Sequence, residues 1–183
     1  MAVAPPSEAS RMGQATAAWT HAQLSPAQRE FLQQLPLTRQ EGPCLLVHAS
    51  ADAPERWRYV DDARSAAASL DAATAQWPGV RYVFGGHVHH QTLYYRGAGQ
   101  GLMLFAPTPG VALPMPRHRH WIATVGSVGQ PLDGKPQAMY ALFDATQARL
   151  CFYRVPYDVG QAAAAIRRAG LDEFFALRLE DGR

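Results

Sequence analysis

Three of the seven histidines stand just past apolar runs, and that placement is the clearest chemical signal in the chain. His48 follows Cys44-Leu45-Leu46-Val47, and His87 and His89 follow Tyr82-Val83-Phe84-Gly85-Gly86. Neutral imidazole is a common metal ligand. Residues i and i+2 of an extended segment project to one side, so a His-x-His pair can serve one ion or two adjacent ones. Two glycines before His87 let the backbone turn sharply and come close to a bound group. A histidine at a strand end is also commonly plain hydrogen-bonded structure, so spacing alone leaves both readings open. His48, after an independent apolar run, adds a second pointer to a site.

Other segments offer weaker chemistry. Arg117-His118-Arg119-His120 could grip phosphate through arginine forks, or be a solvated loop entering the strand at Trp121. The stretch Gly126-Ser127-Val128-Gly129-Gln130-Pro131-Leu132-Asp133-Gly134 reads as a loose phosphate cradle or as a tight turn. No helix is expected after it to supply a positive dipole end. His90 reads as a neighbour of the histidine pair, and His21 falls on an exposed helix with no assigned role. Cys44 and Cys151 lie far apart in apolar strands, which suits core filling and does not make a disulfide framework.

The elements that must position these residues can be read from periodicity and punctuation. Residues 1–10 read as a flexible lead-in, followed by a helix over Arg11–Gln23. A second helix opens at Ser25-Pro26-Ala27-Gln28, with Ser25 as cap, proline at the first position and Gln28 reaching back. It points Phe31, Leu32 and Leu35 inward and stops before Pro36. Strands follow at 37–40 and 43–48, the latter continuous enough in apolar residues to be buried on both faces. Residues 49–58 read as a loop, 61–76 as an alanine-rich helix and 80–84 as a second buried strand. From Gln91 onward the texture is β, with strands at 91–95, 101–105, 121–124, 138–144 and 149–155. Two closing helices span 161–169 and 171–179, the first capped by Asp158. This order predicts a layered α/β or α+β fold over 1–183 as one domain, and the carboxyl ends of such strands are where ligands bind.

The 183-residue composition narrows the function classes. A 48% hydrophobic share with 17% charged residues supports a packed core and argues against disorder. A net charge of +2 gives no polyanion-binding surface, so nucleic acid is not an expected partner. No apolar run reaches the roughly 20 residues of a membrane span, and the first ten residues lack the pattern of a signal peptide. The expectation is a soluble, cytoplasmic protein.

Leu45-Leu46-Val47-His48, Val83-Phe84-Gly85-Gly86-His87-Val88-His89, Gly126-Ser127-Val128-Gly129-Gln130-Pro131 and Tyr140-Ala141-Leu142-Phe143-Asp144, taken together, resemble the calcineurin-like metallophosphoesterases. The likeness is greatest to the small bacterial enzymes described as metallophosphoesterase-family proteins or predicted phosphodiesterases. It extends from about Trp19 to Leu179, including Val155-Pro156-Tyr157-Asp158. The resemblance implies a four-layer α/β/β/α sandwich whose strand ends hold two divalent ions (Mn, Fe or Zn). It implies His48 and His87 as ligands of one ion and His89 of the other, with Gly126, Ser127 and Gly129 in a loop beside the substrate. Two ions about 4 Å apart clamp a phosphate and acidify a bridging water. The implied activity is hydrolysis of phosphate mono- or diesters, on a small phosphorylated substrate.

The same resemblance exposes what is missing. The family carries Asp-x-His, Gly-Asp-x-x-Asp and Gly-Asn-His-Asp/Glu motifs, whereas this chain has no Asp-x-His, no Gly-Asp and no asparagine at all. Two histidines for one ion and one for the other fall short of the three protein ligands usual even for an open catalytic zinc. Asp52 is the nearest carboxylate to His48 in sequence. Ala49 stands where the family has glycine, and Leu132 where it often has arginine. The expectation is therefore a truncated C-terminal portion of the domain, either through loss or through a misplaced start. It has no catalytic residue of its own, doubtful metal occupancy, and an inactive or impaired hydrolase function. The alternative is a non-catalytic, degenerate metal-binding or interaction module. On either reading, the faces of Cys44–Val47 are left partly uncovered, a feature that promotes association.

Overall fold

The computed structural model describes residues 8–97 and 101–183, with residues 8–12 as backbone only. The first helices are α1 (Glu8–Gln23) and α2 (Pro26–Gln33). Then come β1 (Thr38–Glu41), β2 (Cys44–Val47), a single 3-10 turn at Pro54–Arg56, α3 (Ala63–Gln76) and β3 (Tyr82–Gly85). The strand-rich half holds β4 (Gln91–Arg96), β5 (Leu102–Phe105), β6 (Ala112–Pro114), β7 (Trp121–Val125), β8 (Ala138–Asp144) and β9 (Arg149–Val155). Helices α4 (Val159–Arg168) and α5 (Glu173–Asp181) close the order.

Local chemistry explains the helix starts. Ser25 accepts from the Gln28 backbone at 3.3 Å while the Gln28 side chain accepts from the Ser25 N–H at 2.8 Å, the reciprocal box expected from the sequence. Asp62 and Ser65 do the same for α3, and Asp158 accepts from Gln161 N–H at 2.8 Å to start α4.

Six strands form one sheet in the order β1-β2-β3-β7-β4-β5, and three form a second in the order β6-β9-β8. In the larger sheet β2, β3 and β7 are mutually parallel, and β1, β4 and β5 run antiparallel to their neighbours. The period-2 alternation of strands splits the core in two. Leu45, Val47, Val83, Tyr94 and Ile122 point to one face and pack under Ala66, Leu70 and Ala73 of α3. Cys44, Tyr82, Leu93, Trp121 and Ala123 point to the other, against Leu150 and Phe152 of the smaller sheet. Strands lie about 4.8 Å apart, so three strands cannot roof six. Leu150 and Phe152 of the smaller sheet cover Tyr82, Leu93, Trp121, Ala123 and, at the start of β2, Cys44, whereas the flank at Leu46 and β1 stays open. This is the mixed α/β, two-sheet architecture expected from the sequence.

The uncovered flank corrects two expectations. Leu46, in the middle of a run read as buried on both faces, is 43% exposed, whereas Leu45 is fully buried. Phe31 and Leu32 of α2, and Leu35 just past its end, are exposed, because no layer stands opposite them. Leu32, Leu35, Leu46, Phe84, Phe143 and Leu150 instead line an apolar groove of about 930 Å³ between the sheets. The partly uncovered state expected for Cys44–Val47 is thus present on the groove side. Of the lead-in, residues 1–7 lie outside the described residues, and Glu8–Ser10 already belong to α1. The strand β6 went unread, since its three residues end on a proline that masks the pattern. Among the described residues, no helix is long and apolar enough to cross a membrane.

Candidate functional site

Because β2, β3 and β7 are parallel neighbours, their carboxyl ends open on one edge of the sheet. β2 brings His48 there, β3 brings Gly86 and His87, and β7 brings Gly126 and Ser127. The two histidine-bearing strand ends are in backbone contact: Gly86 N–H donates to the His48 carbonyl at 2.9 Å. A Cβ added at Gly85 would sit 3.2 Å from the Ala49 carbonyl oxygen, so the glycine permits this approach. The His48 Nε2 and His87 Nδ1 atoms lie 3.2 Å apart.

Beyond Gly86 the chain reverses within three residues. Val88 N–H donates to the Gly86 carbonyl at 2.7 Å, with His87 at the apex and a φ of +63°. His89 also has a φ of +63°. Left-handed φ at a residue with a Cβ costs roughly 1–3 kcal/mol and persists only where the surroundings enforce it. Here the strain presents His87 to His48. The His89 ring is hydrogen-bonded to the Gln130 backbone, and its buried Nδ1 has no hydrogen-bond partner.

Burial, then the nearby His87 and His89 charges, lowers the pKa of His48. Burial also lowers that of His89, opposed by the Gln130 hydrogen bond and aided by His87, Arg178 and His90. Both imidazoles are therefore held neutral near neutral pH, the form that coordinates metals. Neutral rings and an unpartnered buried nitrogen suit metal donation, but the set stops short of a site. Among the described residues, no group of three His, Cys, Asp or Glu side chains is placed to hold an ion. Asp52, the carboxylate nearest His48 in sequence, is ion-paired with Arg58. The donors among the described residues do not by themselves fit a two-ion centre.

The glycine loop after β7 is a tight turn at the same edge. Ser127 Oγ accepts from Gln130 N–H at 3.0 Å, and the Ser127 carbonyl accepts from Met139 N–H at 2.9 Å. Gly126 has a φ of +88°, and a Cβ there would lie 2.4 Å from Met139 Sδ. Strand β8 follows, with no helix between. His90 sits beside this loop, its carbonyl accepting from Thr124 Oγ1 at 2.7 Å.

The Arg117–His120 run is at the opposite end of the sheet, entering β7 at its amino end. Arg117 donates to the Ala145 and Thr146 carbonyls, Arg119 lies 5.1 Å over the Tyr95 ring, and His120 contacts Arg81 at 2.6 Å. These side chains brace the loop rather than face the strand-end histidines. His21 is exposed on α1. Cys44 and Cys151 are buried, and burial pushes the Cys44 thiol up, away from nucleophilic character.

Sequence reasoning passed over two neighbours of the site. Trp57 packs on His48 with ring centroids 4.5 Å apart, and Tyr59 stacks on His87 at 4.2 Å and 21°. The readable signal was two large aromatics in an otherwise polar loop directly after His48.

No family model matches the chain. It is 26% identical over 174 residues to the uncharacterized protein MJ0912 of Methanocaldococcus jannaschii, over 90% of this chain and 64% of that protein. Among solved structures it is similar to the metallophosphoesterase from Sphaerobacter thermophilus, with a TM-score of 0.79 and 32% identity over 90% of this chain. It is also similar in fold to the hypothetical protein PH1004 from Pyrococcus horikoshii, with a TM-score of 0.64 and 17% identity. The chain spans 64% of the length of the Methanocaldococcus protein, and 65% and 57% of the two solved chains. Parallel strand ends presenting His48 and, after Gly85-Gly86, His87, in an architecture shared with a solved metallophosphoesterase, identify the fold of this chain as calcineurin-like metallophosphoesterase-type.

Proposed function

We propose that this chain carries the imidazole share of a metal-dependent phosphoester-hydrolysing centre, whose substrate is a small phosphate mono- or diester. The observation that carries the reading is the meeting of His48 and His87 at 3.2 Å on the ends of adjacent parallel strands. A strained turn and a glycine-enabled backbone contact hold them there. The likeness to the Sphaerobacter metallophosphoesterase supports the reaction class. Divalent ions of the Mn, Fe or Zn kind suit neutral imidazoles, with carboxylates completing the set. Those carboxylates are not among the described residues gathered at this edge, so hydrolysis by this chain alone is weak. Purified protein with added manganese should turn over p-nitrophenyl phosphate slowly, and His87→Ala should abolish both turnover and ion uptake. Turnover and uptake that persist in His87→Ala would overturn the assignment.

A second reading, a non-catalytic metal-binding or interaction module, is favoured by the pairing of Asp52 with Arg58, which leaves His48 without a carboxylate. Metal analysis giving less than one ion per chain, with no hydrolysis under any divalent metal, would select it.

A further inference from the structure

The loop between β2 and α3 is built in a way that packing alone does not require. Its ends are anchored, with Ala51 fully buried and Val60 only 3% exposed. The Ala51 N–H donates to the buried Ser69 Oγ at 2.9 Å, and an ion pair between Asp52 and Arg58 ties the two sides together. Between the anchors, Ala53 and Trp57 take left-handed φ values of +53° and +51°, on either side of the Pro54–Arg56 turn. A left-handed tryptophan is a genuine backbone outlier, and such strain clusters at functional sites. Its result is an aromatic frame around the imidazole pair. Trp57 lies 4.5 Å from His48 and 5.7 Å from His87, and Tyr59 stacks on His87 at 4.2 Å.

Both rings keep surface to offer. Trp57 is 49% and Tyr59 57% exposed, whereas an aromatic serving only to fill a core would be covered. Trp57 also lines the groove, next to His48, Gly85 and Gly86. A phosphate set against the imidazoles would therefore place its ester group beside two half-exposed aromatic rings and an apolar wall.

Resting on the phosphoester reading of the same edge, we infer that Trp57 and Tyr59 form a stacking subsite for a flat aromatic group that is, or is carried on, the alcohol esterified to the phosphate. A nucleobase or an aryl ring meets this description; an open-chain alkyl phosphate or a bare sugar phosphate does not. Base-on-aromatic stacking is strong enough to be read in binding, at roughly 5-fold to 100-fold per ring and without dependence on base identity. The two side chains are specificity-determining: they contact the leaving group and do no proton chemistry.

The test is calorimetric titration of the whole chain with adenosine 5′-monophosphate, p-nitrophenyl phosphate, ribose 5-phosphate and inorganic phosphate. The expected result is that the first two bind at least about fivefold more tightly than ribose 5-phosphate, in line with the stacking range. Trp57→Ala should erase that ratio, and Trp57→Phe should restore most of it. Preference for only one of the two aromatic esters identifies the source of the ring and supports the inference. Equal binding of adenosine monophosphate, p-nitrophenyl phosphate and ribose 5-phosphate by the unaltered chain overturns it and leaves the phosphoester reading standing. Failure of every phosphate compound to bind overturns that reading as well. Retention of the ratio in Trp57→Ala assigns the preference elsewhere and also overturns the subsite.

Discussion

The two faces of β2 contrast sharply although they share one backbone. Toward α3, Leu45 and Val47 are buried in a continuous core with Val83, Ile122 and Leu70. Toward the groove, Leu46 is exposed and its neighbours Phe84 and Phe143 are only partly covered. The strand is therefore covered along its length on one side and only at Cys44 on the other. That asymmetry explains how the carboxyl edge stays ordered: α3 and the parallel register fix His48 and His87 without help from the open face. It also shows that fold and candidate site depend on different parts of the molecule. The geometry of the imidazole pair is set by the helix side, while the groove side has apolar surface still able to receive a partner layer.

The sharpest way to break this contrast is to truncate each face in turn. Leu45→Ala removes a side chain with no exposed surface from the helix-side core, so it should destabilise the chain by about 2–5 kcal/mol. Leu46→Ala, one residue along, should change stability by less than about 1 kcal/mol, since much of that side chain already meets water. Urea denaturation of both variants checks the pair. Comparable losses would mean that the groove is closed in solution and that the one-sided account is wrong.

Much of this architecture was legible in the sequence, for reasons that the contrast makes plain. β8 and β9 were readable to the residue because alternation and bounding turns are local properties. The helix starts were readable because a capping box is written in four consecutive side chains. His48, His87 and His89 stood out because glycine and strand ends surround them. What could not be read depends on what lies opposite in space. The burial of Phe31, Leu32 and Leu35 was expected from their spacing, but α2 has no layer to face. The meeting of Tyr59 with His87 follows from the path of a strained loop, and no periodicity encodes that path. The left-handed backbone at both His87 and His89 is likewise something that spacing alone does not reveal.

The glycine loop sharpens the contrast from the other side, because it ties the site edge to the smaller sheet. Gly126→Ala would impose a side chain at a φ of +88° and drive its Cβ to 2.4 Å from Met139 Sδ. Met139 is nearly fully buried, so relief requires moving β8 or the loop. A loss of roughly 2–3 kcal/mol is expected, from left-handed strain plus overpacking. Thermal melting of Gly126→Ala beside Gly129→Ala, where a Cβ would meet open space, separates backbone requirement from simple loop sensitivity. Equal, small shifts in both would show that the loop does not hold the sheets together.

A smaller loss than that of Gly126→Ala is expected at the ion pair that anchors the same loop to β9. Arg154 grips Asp133 with both guanidinium nitrogens, and the two side chains are only 13% and 22% exposed. Burial pushes the Asp133 carboxyl upward, but the Arg154 hydrogen bonds and charge outweigh it, with Lys135 N–H and His90 adding to the net lowering. A carboxyl lowered in the folded state stabilises the fold fully above its unfolded value of 3.8, and that stabilisation is lost as pH falls through the lower folded value. Asp133→Asn should therefore cost about 1–2 kcal/mol near pH 7, less than for a fully buried pair because water still reaches both groups. The gap between wild type and variant should narrow as pH drops below about 4, where the Asp133 carboxyl takes up its proton in the unfolded chain before it does in the folded one. Denaturation measured across that range decides the point. A gap that stays constant down to about pH 3 would mean the loop is anchored by the Gly134 N–H to Gly182 carbonyl bond at 2.8 Å and by Met139, with the ion pair contributing nothing measurable.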